Sequence, residues 1–296
     1  MIHEIAPDKY NPEYRNITVR EQDYVIAFNK TGILLKYENE SFSYLTFGEY
    51  ASLANREYDS LKNDAYYLFE ISNEPYFLVD IKGTEIQGFK EFDDIHRGNK
   101  NTHYLTLGMQ AFRELAPMKF IFAGVNAYHI YNWKKTKNYC GVCGGKLRRS
   151  STERAFVCTE CNMREYPKIS PAIIVAIRNE GKILLVRNKL GNYKKPSLIA
   201  GYVEIGETFE DAVYREVMEE VGLKIKNLTY YDNQPWGLTG AQMIGFYADL
   251  DGSDKITLQE SELSEAKWYS RDEIPMDLSN RSIGNKLIIK FKKGEI

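Results

Sequence analysis

The chain of 296 residues contains no run of 18 apolar residues, so no segment reads as a membrane-spanning helix. Its opening stretch, MIHEIAPDKYNPEYR, has no apolar core of the kind a secretory leader needs, and a cytoplasmic protein is the simplest expectation. Basic charge is not in excess. Lys and Arg number 39 against 41 Asp and Glu, for a net charge of −2 and a pI of about 6.2, which argues against a protein that coats nucleic acid. Histidine is rare, and His96, His103 and His129 are scattered, so each reads as a surface or packing residue. Internal repeats and low-complexity tracts are absent, which excludes solenoids and arrays. Cysteine is rare as well, with four in the chain, but these are not scattered.

All four cysteines fall within 22 residues, as Cys140-x2-Cys143, a gap of fourteen residues, and Cys158-x2-Cys161. Two CxxC knuckles can place four thiolates around one Zn2+ ion, the pattern of a zinc ribbon. Gly141, Gly144 and Gly145 supply the backbone freedom that a knuckle needs. Two disulfides or a redox CxxC are the alternatives, and disulfides fit poorly with a chain that shows no secretion signal.

Residues 201–223, GYVEIGETFEDAVYREVMEEVGL, carry the other concentration of chemistry. Thr208 is placed to cap a helix, with Asp211 three residues on as the acid of a capping box. Ala212, Val213, Val217 and Val221 repeat at helical spacing, and Gly222 suits the left-handed residue that ends a helix. On that helix Glu219 and Glu220 each fall within about 60° of Glu216. Two carboxylates about 4 Å apart repel by about 1 kcal/mol in water and by about 4 kcal/mol at an effective dielectric of 20. A solvated acidic face tolerates that cost, and this is the usual meaning of a charge run. A cleft does not tolerate it without a cation, and Mg2+ or Mn2+ suits carboxylate oxygen.

The same stretch satisfies the pattern GX5EX7REUXEEXGU, with U aliphatic, at Gly201, Glu207, Arg215, Glu216, Val217, Glu219, Glu220, Gly222 and Leu223. The chance of such a match is on the order of one in 10^8 per window. The chain therefore resembles the Nudix hydrolases. The resemblance implies an enzyme that uses divalent ions to split a diphosphate linked to a nucleoside. It implies a structural role for Gly201, Glu207, Arg215 and Gly222, with an Arg215–Glu207 salt bridge tying loop to helix. Glu219 and Glu262 are candidates to orient or deprotonate the attacking water.

Three features narrow the resemblance to the NADH pyrophosphatase branch, whose members also remove NAD caps from RNA. A zinc ribbon directly precedes the Nudix stretch, the junction reads Tyr166-Pro167-Lys168-Ile169-Ser170-Pro171, and Gln234-Pro235-Trp236 follows the helix. By this likeness Glu216, Glu220 and Glu262, with the carbonyl oxygen of Ala200, bind the catalytic Mg2+ or Mn2+. Glu153, Tyr166, Tyr202 and Gly284 become substrate contacts, as does the segment from Gln234 to Ala241. The branch continues QPW as QPWPFPxS, whereas this chain continues with Gly237, Leu238, Thr239, Gly240 and Ala241. The change removes two prolines and an aromatic face, and a looser loop is the expectation. The branch also works as a homodimer that shares its sites between subunits.

The fold class that follows is α/β. A Nudix fold at 168–296, a mixed β-sheet between helices, comes after a zinc ribbon at 135–167 and an N-terminal α+β domain at 1–134. In the N-terminal part, strand-like runs fall at 23–28, 32–37, 42–47, 66–71 and 75–81, and helical patterns at 103–116 and 122–135. In the last part, strands are expected at 171–177, 182–187, 225–231 and 242–250, a hairpin turn at 179–181, and a closing helix at 281–293. The functional expectation is a metal-dependent NAD(H) diphosphatase that yields nicotinamide mononucleotide and AMP, with NAD-capped RNA as a further substrate. The altered segment after Trp236 keeps ADP-ribose, FAD or diadenosine polyphosphates open as other substrates. A non-enzymatic nucleotide sensor or RNA-binding module, suggested by Lys146, Arg148 and Arg149, is opposed by the intact glutamates.

Overall fold

The computed structural model describes the chain except residues 55, 80, 82–88, 92–102, 190–194 and 275–277. His96 lies outside the described residues. Contacts divide the chain into two compact units, Glu4–Lys168 and Ile169–Ile296, the latter joined by Met1–His3.

The first unit is built from aromatic-rich strands. One sheet of five strands includes Tyr66–Ile71 and Glu74–Leu78, and a second of four includes Ile33–Glu38 and His103–Leu107. Phe47, Tyr50, Leu61 and Phe77 are buried together in its core. Two sequence expectations change here. The strand foreseen at 42–47 stops at Thr46, because Thr46 and Glu49 form a reciprocal capping box that starts the helix Phe47–Leu53. The helical pattern at 103–116 divides into the strand His103–Leu107 and, past Gly108, the helix Met109–Leu115. That strand pairs with Ile33–Tyr37, a partner that local periodicity does not reveal. A long helix, Met118–Lys135, then follows Pro117.

The ribbon is a three-stranded antiparallel sheet of Leu147–Arg149, Phe156–Cys158 and Arg164–Glu165. It is fastened within the first unit by cations on backbone oxygens. Arg149 donates to the carbonyls of Asp64 (2.9 Å) and Ala65 (3.2 Å), and Arg154 to those of Leu68 and Pro12. The ring of Trp133 packs on Phe156 at 4.9 Å.

The second unit holds the mixed sheet. Its strands are β1 (Ser170–Asn179), β2 (Lys182–Asn188), β3 (Ile199–Tyr202), β4 (Ile225–Trp236), β5 (Ala241–Leu250) and β6 (Leu263–Ser270). Their order is β4-β5-β1-β2-β6, with β3 pairing the first half of β1. β1 and β5 run parallel, while the other neighbours are antiparallel. Glu180 and Gly181 both take positive φ, 47° and 77°, as a two-residue hairpin requires. Side chains alternate along β1. Ile173, Val175 and Ile177 face helix α1 (Phe209–Val221), while Ala176 packs with Leu287, Ile288 and Phe291 of helix α2 (Ile283–Lys293).

The start of α1 is set by the capping box of Thr208 and Asp211, and its end by Gly222 at φ 68°. Val213 and Val217 are buried against the sheet. Burying one such side chain stabilises the fold by about 1.5–3 kcal/mol, so an Asp at 217 would unseat the helix.

Candidate active site

The carboxylates sit on and around the outer flank of α1. Glu220 is buried, at 6% exposure, while Glu219 keeps 52% of its side chain exposed. Successive residues lie 100° apart on a helix, so one turns inward and the other outward. Glu216 is half-buried between them in the same cluster. The strand β3 passes so close that a Cβ on Gly201 would stand 2.0 Å from Cδ of Glu216. A side chain at 201 would collide with Glu216 where it stands, so glycine suits this approach.

Arg215 organises the flank. Its guanidinium meets both oxygens of Glu207, at 2.7 and 2.9 Å, and donates to Glu216 at 2.8 Å, to Glu219 at 3.1 Å and to the Tyr202 carbonyl at 3.0 Å. Glu207 is held below the usual carboxylate range by those bonds, and it also accepts from the Glu204 backbone N–H. Loop, strand and helix are thus tied by one cation.

Glu262 reaches the cluster from outside the helix. The segment before β6 lies along the end of α1, where Thr257 N–H donates to the Val221 carbonyl and Gln259 N–H to that of Glu220, each at 2.9 Å. The Gln259 side-chain amide donates to the Glu262 carboxylate at 3.3 Å. Gln259 thereby positions Glu262, and nothing in its sequence context, an acidic surface-like stretch, signals that role.

Burial raises the pKa of Glu220 to about 8, with further upward pushes from Glu216, Glu262 and Glu219. Glu216 is raised by burial as well, in spite of Arg215. One oxygen of Glu220, Oε2, is buried without any hydrogen-bond partner. A buried, unpaired carboxylate oxygen facing other carboxylates is costly as an anion. A hard divalent cation would satisfy it, and an all-oxygen donor set suits Mg2+ or Mn2+. The donor chemistry of these residues therefore suits such an ion.

In the first unit the four cysteine sulfurs lie within 4.8 Å of one another. Cys140 and Cys161 stand at 3.7 Å, and Cys143 and Cys158 at 3.5 Å. Sulfurs around a tetrahedral zinc with Zn–S near 2.3 Å would be about 3.8 Å apart. A disulfide would need about 2.05 Å, so the cysteines are free thiols here. Backbone N–H groups of Val142 and Glu160 point at Cys140 and Cys158, each at 3.4 Å, and backbone donors lower both thiol pKa values. The cluster fits a structural zinc site.

The remaining sequence-derived residues fall in three places. Glu153 and Tyr166 meet within the first unit, where the Tyr166 hydroxyl donates to Glu153 at 2.9 Å and Arg164 also pairs with that carboxylate. Tyr202 lies on β3 with half its surface exposed. Gln234, Pro235 and Trp236 form the end of β4, paired with Met243, Gln242 and Ala241. Gln234 is fully buried, donating to the Arg281 carbonyl at 3.0 Å and accepting from the Ile283 N–H at 2.7 Å. Both polar ends of its side chain bond to the start of α2. Pro235 is exposed and Trp236 half-buried. Gly284 lies in the first turn of α2, where a Cβ would meet Ile174 at 2.9 Å, so close helix–sheet packing accounts for the glycine.

The segment Gly237, Leu238, Thr239 and Gly240 is not the looser loop foreseen. It closes a short hairpin, with Thr239 and Gly240 N–H groups both reaching the Trp236 carbonyl and Gly240 at φ 75°. The Gly240 carbonyl accepts from Ser170 at 2.9 Å, and Ala241 is buried. Compactness here comes from turn hydrogen bonds instead of prolines.

The family model of the NUDIX domain matches residues 168–290. The chain is 42% identical over 193 residues to the NAD-capped RNA hydrolase NudC of Haemophilus influenzae strain PittGG, covering 63% of this chain and 69% of that protein. The chain belongs to the Nudix hydrolase family. A second relative, the NAD-capped RNA hydrolase NudC of Escherichia coli O9:H4 strain HS, is 43% identical over 165 residues, 56% of this chain and 63% of its own length. A crystal structure of a Nudix hydrolase from Nitrosomonas europaea aligns at 23% identity and a TM-score of 0.45, over 53% of this chain and 92% of that one. The Nudix helix of this chain is thus α1, and among its motif acids Glu220 alone is buried.

Proposed function

We propose that the chain is a divalent-metal-dependent diphosphatase that hydrolyses NADH and NAD+ to nicotinamide mononucleotide and AMP, and that it also removes NAD caps from RNA. The observation that carries the reading is the unpartnered, buried oxygen of Glu220 among Glu216, Glu219 and Glu262. Two relatives bear the name NAD-capped RNA hydrolase, which supports the substrate class. In this reading Glu216, Glu220, Glu262 and the Ala200 carbonyl hold Mg2+ or Mn2+. Bound there, such an ion neutralises the diphosphate and lowers the pKa of water.

The chain's own groups do the rest. Arg215 keeps Glu219 aimed along the flank of α1, where its exposed carboxylate can take a proton from water. Tyr202, Pro235 and Trp236 offer surfaces against which a base or nicotinamide ring can lie. Glu153 and Tyr166, already joined by a hydrogen bond, form a second polar and aromatic pair for the dinucleotide. Zinc in the cysteine cluster, a homodimer that completes the sites, and a cytoplasmic location belong to the same proposal.

The test is a hydrolysis panel of NADH, NAD+, ADP-ribose and NAD-capped RNA with Mg2+ or Mn2+. NAD-type substrates are expected to turn over fastest. Faster turnover of ADP-ribose than of NADH would contradict the proposed specificity.

A further inference from the structure

An open groove of about 580 Å³ in the first unit shares no residue with the carboxylate cluster. Lys134 and Lys137 line it from the end of the helix Met118–Lys135, Tyr139 and Lys146 from the two sides of the first zinc knuckle, and Arg149 from the ribbon. Among the described residues no carboxylate contributes to its lining. The net charge of the whole chain is −2, so this concentration of cations runs against the rest of the molecule.

Compensation within the groove is incomplete. Lys137 is paired with Glu165 at 2.5 Å. Arg149 donates to two backbone carbonyls and lies over the Tyr66 ring at 5.2 Å, contacts that leave its positive charge in place. Among the described residues the ammonium of Lys146 has no ion-pair partner, and the residue is exposed. Tyr139 is 66% exposed, unusual for so large a ring. Tyr139 and Lys146 form an antiparallel bridge, which puts the ring and the ammonium on the same face as direct neighbours. An uncovered aromatic ring beside unneutralised cations is the pairing that binds a single-stranded nucleic acid, the ring stacking on a base and the cations meeting the phosphates.

We propose that this groove binds the chain of a single-stranded RNA, with Tyr139 as the stacking platform and Lys146 and Arg149 facing its phosphates. The proposal rests on the function above only in taking RNA as the physiological ligand, and uncapped RNA tests it separately.

The experiment uses the full zinc-loaded chain and an unstructured, fluorescently labelled RNA of about 15 nucleotides with a 5′-hydroxyl, followed by anisotropy. Binding should weaken as salt rises. Tyr139→Ala should weaken it about fivefold or more, and Tyr139→Phe should restore it. Lys146→Glu should weaken it about tenfold and flatten the salt dependence by about one to two charges. Zinc content and NAD+ hydrolysis should stay at wild-type level in all three variants, while hydrolysis of NAD-capped RNA falls. Variants that bind RNA as the wild type does would overturn the proposal. So would duplex RNA or a poly-glutamate peptide bound as tightly as the single strand. A wild-type chain that hydrolyses no NAD+ yet binds RNA through Tyr139 and Lys146 would support the groove and refute the proposed function.

Discussion

The cysteine cluster and the carboxylate cluster both gather anionic ligands in one place, but they solve the repulsion differently. The sulfurs stand 3.5 and 3.7 Å apart in pairs, with backbone N–H donors aimed at Cys140 and Cys158. The carboxylates are spread around a helix, one buried, one exposed, one tethered from another segment, with Arg215 sharing bonds among Glu207, Glu216 and Glu219. The first arrangement is closed and needs only an ion to hold its hairpin. The second keeps one carboxylate, Glu219, open to solvent beside the buried Glu220. Closed thiolate sites suit structure, and open oxygen sites suit chemistry.

The largest effect expected on this contrast is from Glu220→Gln, which keeps the shape and removes the buried charge. Turnover of NADH should fall by about 10^3-fold or more, the loss expected when several kcal/mol of metal-derived stabilisation are removed. Steady-state hydrolysis at saturating Mg2+ measures it. Cys158→Ala should act oppositely, leaving the acids untouched while zinc content is lost and the melting temperature drops by about 10 °C or more. Calorimetry with metal analysis checks this.

The pH dependence of the metal-free chain separates the clusters further. Glu220 in the fold has a pKa of about 8, above its ordinary value of 4.5, so the fold favours its neutral form. That contribution is complete below about pH 4.5 and is lost as pH rises through about 8, by at most about 5 kcal/mol. Denaturant unfolding at pH 6 and pH 9 in a chelator should show the loss in the wild type and a smaller one in Glu220→Gln. The Gln variant should therefore be the more stable of the two at pH 9, although nearly inactive.

Two glycines give the smallest contrast. Gly201→Ala would drive a methyl group into Glu216 and should weaken Mg2+ or Mn2+ binding about 10- to 100-fold, by analogy with disturbed ligand orientation. Gly144→Ala in the knuckle meets nothing within 4 Å but takes φ 75°, so it should cost only about 1–2 kcal/mol of strain. Metal titration for the first and thermal melts for the second read these out.

Much of the Nudix helix could be read from the sequence because its determinants are local. Thr208 and Asp211 start it, Gly222 ends it, and the Arg215–Glu207 salt bridge forms as foreseen. The zinc ribbon was legible for the same reason, since ligand spacing alone defines a knuckle. What escaped depends on distant partners. The strand His103–Leu107 owes its form to Ile33–Tyr37, and Gln234 owes its burial to Arg281 and Ile283. Gln259 matters only because its segment folds back along α1. The hairpin after Trp236 shows a further limit, because losing prolines from a motif says nothing about the turn hydrogen bonds that replace them.

The most direct test of the carboxylate cluster as a metal-dependent diphosphatase site is NADH hydrolysis across a Mg2+ or Mn2+ titration, in the wild type and in Glu220→Gln. Turnover should rise with metal in the wild type, vanish in chelator, and stay near background in the variant at every concentration. Hydrolysis by Glu220→Gln at the wild-type rate would contradict the role assigned to that buried carboxylate.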